Sequence, residues 1–196
     1  MSSFFRVWLS GYAHPVAVGE KLADKPAPHW GLYSQGLRAL MDALLLYLPL
    51  ALLGWQPSTP SYLTFLPTER YYAALVLFAP VFLFAQWLLL AVVLHVILRL
   101  LGRPSNVDQI INLTGMAALV VGAFLVVWDW AYVLLGGRSD VFLGLTHLVA
   151  DIWVILIVTA GLKKLLGVPI GLGIALNVLW IILGVPMAMV FMRGPV

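Results

Sequence analysis

From residue 37 onward, five long apolar runs alternate with short gaps, and nearly all of the charge falls in the gaps. A helix needs about 20 apolar residues to cross roughly 30 Å of hydrocarbon. The runs at 37–55, 71–100, 110–136, 141–162 and 168–192 meet that need, the first by taking in Arg38 and Asp42 at its polar end. Soluble domains carry roughly 25% charged residues, whereas this chain of 196 residues carries 10% and is 63% hydrophobic. A soluble fold of this size could not hide so much apolar surface. The expected fold is therefore an all-α integral membrane protein, with a five-helix transmembrane bundle over 37–196. Residues 1–36 mix Phe4, Phe5, Trp8, Tyr12, Trp30 and Tyr33 with Lys21, Lys25 and three prolines. That composition suits an interfacial segment of short helices on the cytoplasmic headgroups, with a loose tail as the alternative.

Charge orients the bundle. Arg6, Lys21, Lys25, Arg38, Arg99, Arg103, Lys163 and Lys164 occupy alternate gaps, against Arg70, Arg138 and Arg193 in the others. By the positive-inside rule the richer side is cytoplasmic, so the amino end is expected inside and the carboxyl end outside, across the inner membrane of a cell. Trp55, Tyr62, Tyr71, Tyr72, Trp128, Trp130 and Tyr132 crowd the outer ends of the first three runs, like an interfacial belt. The basic residues are spread along the gaps and form no patch for nucleic acid. Zero cysteines exclude disulfides, thiolate metal sites and cysteine nucleophiles.

Polar residues inside the runs are the candidate chemistry. In the third run Gly115, Ala118, Gly122, Leu125 and Asp129 share one helical stripe, and in the fourth Asp140, Gly144, His147 and Asp151 share another. The junction GGRSD predicts a tight antiparallel hairpin. Asp129 lies nine residues before Arg138 and His147 nine after it, which puts both roughly 13 Å along their helices. The two are expected to meet, with Asp151 one turn deeper. A buried carboxylate must be paired, hydrogen-bonded or protonated. The group therefore reads as an interhelical clasp, a proton- or ion-linked site, or a two-carboxylate, one-imidazole metal site whose spacing matches no specific motif.

A second polar group is expected at the cytoplasmic face. Arg38 and Asp42 are four apart on the first run, and His95 and Arg99 four apart on the second, with Lys163 and Lys164 nearby. These read as snorkelling anchors or as a site for a partner or an anionic headgroup. Small residues, with Gly115 and Gly122 in the third run and Gly167 and Gly171 beside Asn177 in the fifth, predict close helix packing. Ser105 followed by Asp108 suggests a capping-box-like start to the third helix.

No P-loop, GxSxG, HExxH or GxGxxG fingerprint is present, so no catalytic residue and no cofactor is assigned. The loop and third run, GRPSNVDQIINLTGMAALVVGAFLVVWDW, and the junction DIWVILIVTAGLKKLLGVPIG resemble the Yip family of five-span membrane proteins. The likeness covers roughly residues 12–192 and is to the family's bacterial members. It implies a cytoplasmic amino end and an outward carboxyl end. The DLYGP-type signature of the eukaryotic members, which interact with Rab-type GTPases, is absent. The leading expectation is a non-enzymatic scaffold, partner-binding or lipid-organising protein, whose partners are the bilayer and other membrane proteins or further copies of the chain. A small transporter or proton-linked subunit using Asp129, His147 and Asp151 is the second, and a metal- or cofactor-binding subunit the third.

Overall fold

The computed structural model describes every residue except 1, 2, 24, 26, 61, 63, 64, 192, 194 and 196, and only the backbone of 187, 188, 190 and 191. The described chain is helical: α1 (Ser3–Ala13), α2 (Val18–Leu22), α3 (His29–Leu52), α4 (Tyr71–Leu100), α5 (Val107–Leu134), α6 (Asp140–Leu166) and α7 (Ile170–Phe191). Single 3₁₀ turns at Pro15–Ala17 and Thr68–Arg70 precede α2 and α4. No strand occurs among the described residues. Four helices are long and apolar enough to cross a membrane: α3, α4 with its leading turn, α5 and α6. In α7 the apolar stretch, Ile170–Pro186, is shorter. The expected end of the fifth run at 192 lies outside the described residues.

The first helix begins at His29, eight residues before the expected boundary at 37. Pro28 stands at its N-cap, where the missing N–H costs nothing, and nothing after it breaks the helix. The apolar pattern hides this start because Ser34 and Gln35 are buried against neighbouring helices, 0% and 1% exposed.

Helix α5 forms the axis of the bundle. Of its apolar window 89% is buried, against 17–28% in the other three membrane-length helices. In lipid no hydrophobic effect drives helices together, so association rests on close packing and interhelical hydrogen bonds. Small residues supply the first: a Cβ on Gly115 would fall 2.5 Å from the Gly31 carbonyl oxygen, and one on Gly31 would fall 2.1 Å from that of Ile111. Asn112, fully buried, supplies the second by accepting from the Gly31 N–H (2.8 Å) and donating to the carbonyls of Lys25 (3.0 Å) and Ala27 (2.8 Å). Helices α3 and α5 thus run side by side in the same direction, with Gly31 beside Gly115 and Arg38 beside Gly122.

Helices α1 and α2 join this core and do not lie apart from it. Val7, Val18 and Leu22 pack with Leu113, Met116, Val120, Ile157 and Leu162. Tyr71 and Tyr72, expected in an interfacial belt, are instead buried against Leu46, Leu50 and Leu75. The start of α5 also differs from expectation. Asn106 caps it, accepting from the Asp108 and Gln109 N–H groups, while the Ser105 hydroxyl bonds His95 Nδ1 (2.8 Å). The α5–α6 hairpin turns at Gly136, whose φ of +77° suits glycine, and Ser139 caps α6 through the Phe142 N–H.

Replacing Gly115 with Val drives two methyl groups into the α3 backbone, which cannot yield as a side chain would. Overpacking of this kind costs about 1–3 kcal/mol or more. Size-exclusion chromatography in mild detergent should show a reduced monodisperse peak for Gly115→Val and a near-normal one for Gly171→Ala, because a Cβ on Gly171 would meet nothing within 4 Å.

Candidate functional site

Asp129 and His147 meet: Asp129 Oδ1 lies 2.7 Å from His147 Nε2, with side chains 13% and 14% exposed. The matched offsets on either side of the hairpin produce this contact. Asp151, half-buried one turn further along α6, lies within electrostatic reach of His147 and Arg38.

Arg38 and Asp42 are not at the start of their helix. Because α3 starts at His29, Arg38 sits nine residues in, or roughly 14 Å along the helix. Its side chain crosses Gly122, where a Cβ would fall 2.6 Å from Cδ and Nε. Asp42 is buried and lies within electrostatic reach of Arg38, Asp129 and His147. The structure therefore places two pairs, Arg38–Asp42 on α3 and Asp129–His147 between α5 and α6, within electrostatic reach of each other, with Asp151 in reach of Arg38 and His147; together they are the ionic group. Arg38 Nε stands 3.5 Å from Asp42 Oδ2, an ion pair without hydrogen-bond geometry, and that buried nitrogen has no hydrogen-bond partner. One turn before, Gln35 donates to the Leu83 carbonyl (3.1 Å) and leaves its buried Oε1 unpartnered.

The backbone beneath the group is unusual. Asp42–Tyr47 forms a π-helical turn in which the Leu48 N–H bonds the Ala43 carbonyl, five residues back. Such turns are rare and often mark functional positions. Here Pro49 supplies a local cause: it has no N–H to give to the Leu45 carbonyl four residues earlier. Trp130 Nε1 of α5 takes that acceptor instead, at 2.6 Å.

The remaining residues of the expected cytoplasmic-face group stay at the end of the bundle that holds Lys163. Arg99 and Lys163 are exposed there, His95 bonds Ser105, and Lys164 pairs with Glu20 at 3.0 Å. Of the expected packing positions, Gly115 and Gly122 contact α3 as described. Asn177 donates to Thr159 Oγ1 (3.3 Å) and to the Gly173 carbonyl (2.8 Å) at the α6–α7 contact. Gly167 and Gly171 show no close approach, since a Cβ on either would meet nothing within 4 Å. Gly167 instead ends α6 with a φ of +65°. Asn112 and Gln35 escaped the sequence reading, although a lone amide in an apolar stretch was the available signal.

Among the described residues no three acids and histidines converge as a metal site requires. Two hollows lie elsewhere. One of about 410 Å³ is bordered by Ala13, His14, Pro15, Val16, Ala17 and Glu20, and a cleft of about 10 Å³ lies between α4 and α7. No protein-family model matches the chain, and neither a curated protein nor a solved structure is found similar to it.

Removing one partner of a buried ion pair strands the other and costs about 3–5 kcal/mol. Asp129→Ala should accordingly lower the melting temperature in detergent by roughly 6–20 °C. His147→Ala should do the same, and the double variant should fall short of the sum of the two. Strictly additive losses would show that the pair does not couple.

Proposed function

We propose that the chain is a non-enzymatic multi-pass membrane protein acting as a scaffold or partner-binding module, with the ionic group as the clasp that holds α3 onto the α5–α6 hairpin. The observation that carries this reading is the enclosure of the group. Arg38 pairs with Asp42 within α3 and Asp129 with His147 across the α5–α6 hairpin, with these side chains 11–24% exposed. What the bundle offers outward is apolar surface, including Leu77, Val81 and Leu89 on α4 and Leu145, Val149 and Leu156 on α6. In this reading α7 is the fifth span, the amino end is cytoplasmic, the carboxyl end is outside and the host is the inner membrane. The distribution of basic residues supports that orientation. The Yip resemblance belongs to the same proposal, on the motifs that carry it.

One observation favours a second reading, a proton- or ion-linked membrane subunit. The ionic group holds three carboxylates against one guanidinium and one imidazole. Even with His147 protonated, one negative charge is left over, and a low-dielectric setting disfavours it. A bound proton or monovalent cation would neutralise it.

Asp129→Asn separates the two readings, because it keeps a hydrogen bond to His147 and removes the charge. Under the scaffold reading, reconstituted vesicles show no proton or sodium flux with either form, while chains co-purifying in mild detergent are retained by the wild type and lost as the variant loosens. Under the ion-linked reading, the wild type carries flux that the variant abolishes, with thermal stability and partner recovery unchanged. A wild-type protein recovered clean and without partners from native membranes would count against the scaffold.

A further inference from the structure

The amino-terminal helices reach further into the bundle than an interfacial segment does. Helix α1 starts where Phe4 packs edge-on against Trp30, with ring centroids 5.5 Å apart, at the beginning of α3. Two turns later Gly11 rests on Val120, and its carbonyl accepts from Trp153 Nε1 at 3.0 Å. Val120 stands thirteen residues into α5 and Trp153 thirteen before the end of α6. Each is therefore roughly 20 Å along a helix of roughly 40 Å. The far end of α1 lies close to the half-way level of the bundle.

From there the chain turns back. After His14–Ala17, Gly19 lies against the Gly161 backbone, where a Cβ would fall 2.6 Å from the Gly161 Cα. Gly161 is five residues, or roughly 8 Å, from the end of α6. One residue on, Glu20 pairs with Lys164 among the charges of that end. The descent uses the small-residue contact typical of helices meeting in lipid.

Two features suit this segment to hydrocarbon. Backbone polar groups in lipid must be satisfied internally, and three N–H groups of the turn are. The His14 N–H bonds the Ser10 carbonyl (2.7 Å), the Ala17 N–H bonds that of His14 (3.0 Å), and the Val18 N–H bonds that of Pro15, which has no N–H itself. The face turned away from the protein is apolar apart from Arg6 near the start of α1 and His14 at the tip, both exposed. Phe5, Leu9, Tyr12 and Val16, spaced four, three and four apart, are 36–62% exposed, while Val7 and Gly11 face inward. His14 at the tip borders the 410 Å³ hollow.

We propose that α1 and α2 form a re-entrant helical hairpin that enters only the leaflet at the Lys163 end and that its outer face is solvated by acyl chains. The long helices displace lipid in both leaflets, whereas the hairpin adds two helix segments, each about 10 Å across, to one. A wedge of that kind favours membranes in which the hairpin's leaflet is convex. This curvature preference needs no second protein, so it stands apart from the partner-binding reading.

The absence of native cysteine makes the test direct. Nitroxide labels at Ala13→Cys, at Ile152→Cys (54% exposed, at the Trp153 level) and at Lys21→Cys are compared in phosphatidylcholine vesicles for collision with oxygen and with a water-soluble nickel chelate. Ala13→Cys should match Ile152→Cys, and a match to the aqueous Lys21→Cys would overturn the hairpin. In a population of mixed vesicle sizes, molecules with the amino end outward should be roughly two-fold or more denser in the smallest vesicles. The triple variant Phe5→Ser, Leu9→Ser, Val16→Ser should lose that enrichment at unchanged thermal stability, since these side chains face outward. A wild-type density independent of vesicle size would overturn the wedge even with Ala13→Cys in lipid.

Discussion

The close approach of α3 and α5 at Gly31 and Gly115 sets the register on which the polar interior depends. With backbone against backbone at that point, and with Asn112 taking the Gly31 N–H, α3 cannot slide along its neighbour without breaking both contacts. Seven residues further along each helix, Arg38 is carried onto Gly122. Leu45 is brought to Trp130 in the same way. A shift of one residue on a helix rotates its side chains by about 100°, so the ionic group exists only in this register. The glycine contact and the buried amide act first, and the charges are placed by them.

That ordering explains what the sequence could reveal. The all-helical class and the membrane-length helices follow from apolar length alone, and the Asp129–His147 contact follows from a hairpin with equal arms. The place of Arg38 and Asp42 does not follow from such counting. Both lie at the polar edge of a weakly apolar segment, where charges usually mark a membrane boundary, and the helix continues another nine residues before Arg38 because Ser34 and Gln35 find buried partners. Reading this requires knowing what α5 offers opposite: Gly115 to admit backbone, Met116 beside the Ser34 hydroxyl, and Gly122 to admit a guanidinium. Gly167 and Gly171 show the reverse error. Their spacing mimics a packing stripe, but one ends a helix and the other faces open space.

Energetically, the ionic group is a conditional source of stability. A buried ion pair often contributes less than well-packed apolar residues would, although losing half of one is costly. Its presence therefore argues for specificity of register or for a role in charge handling, and less for stability as such. The π-helical turn at Asp42 fits either role. It delivers the Leu45 carbonyl, freed by Pro49, to Trp130, and in doing so ties the far half of α3 to α5 by a hydrogen bond that a regular helix would not have offered.

The amino-terminal helices follow the same logic from the other side of α5. Gly11 on Val120 and Gly19 on Gly161 repeat the device used at Gly31 and Gly115, a glycine where another chain must come close. Segments held to a bundle only through headgroup contacts would have no use for such glycines, because nothing would approach them within van der Waals distance. Val7, Gly11, Val18, Gly19 and Leu22 are instead buried in the bundle, Phe4 and Trp8 turn into the same contact, and Phe5 and Tyr12 turn outward. The leading residues are thereby part of the packed bundle, and α1 and α2 help to enclose the first half of α5.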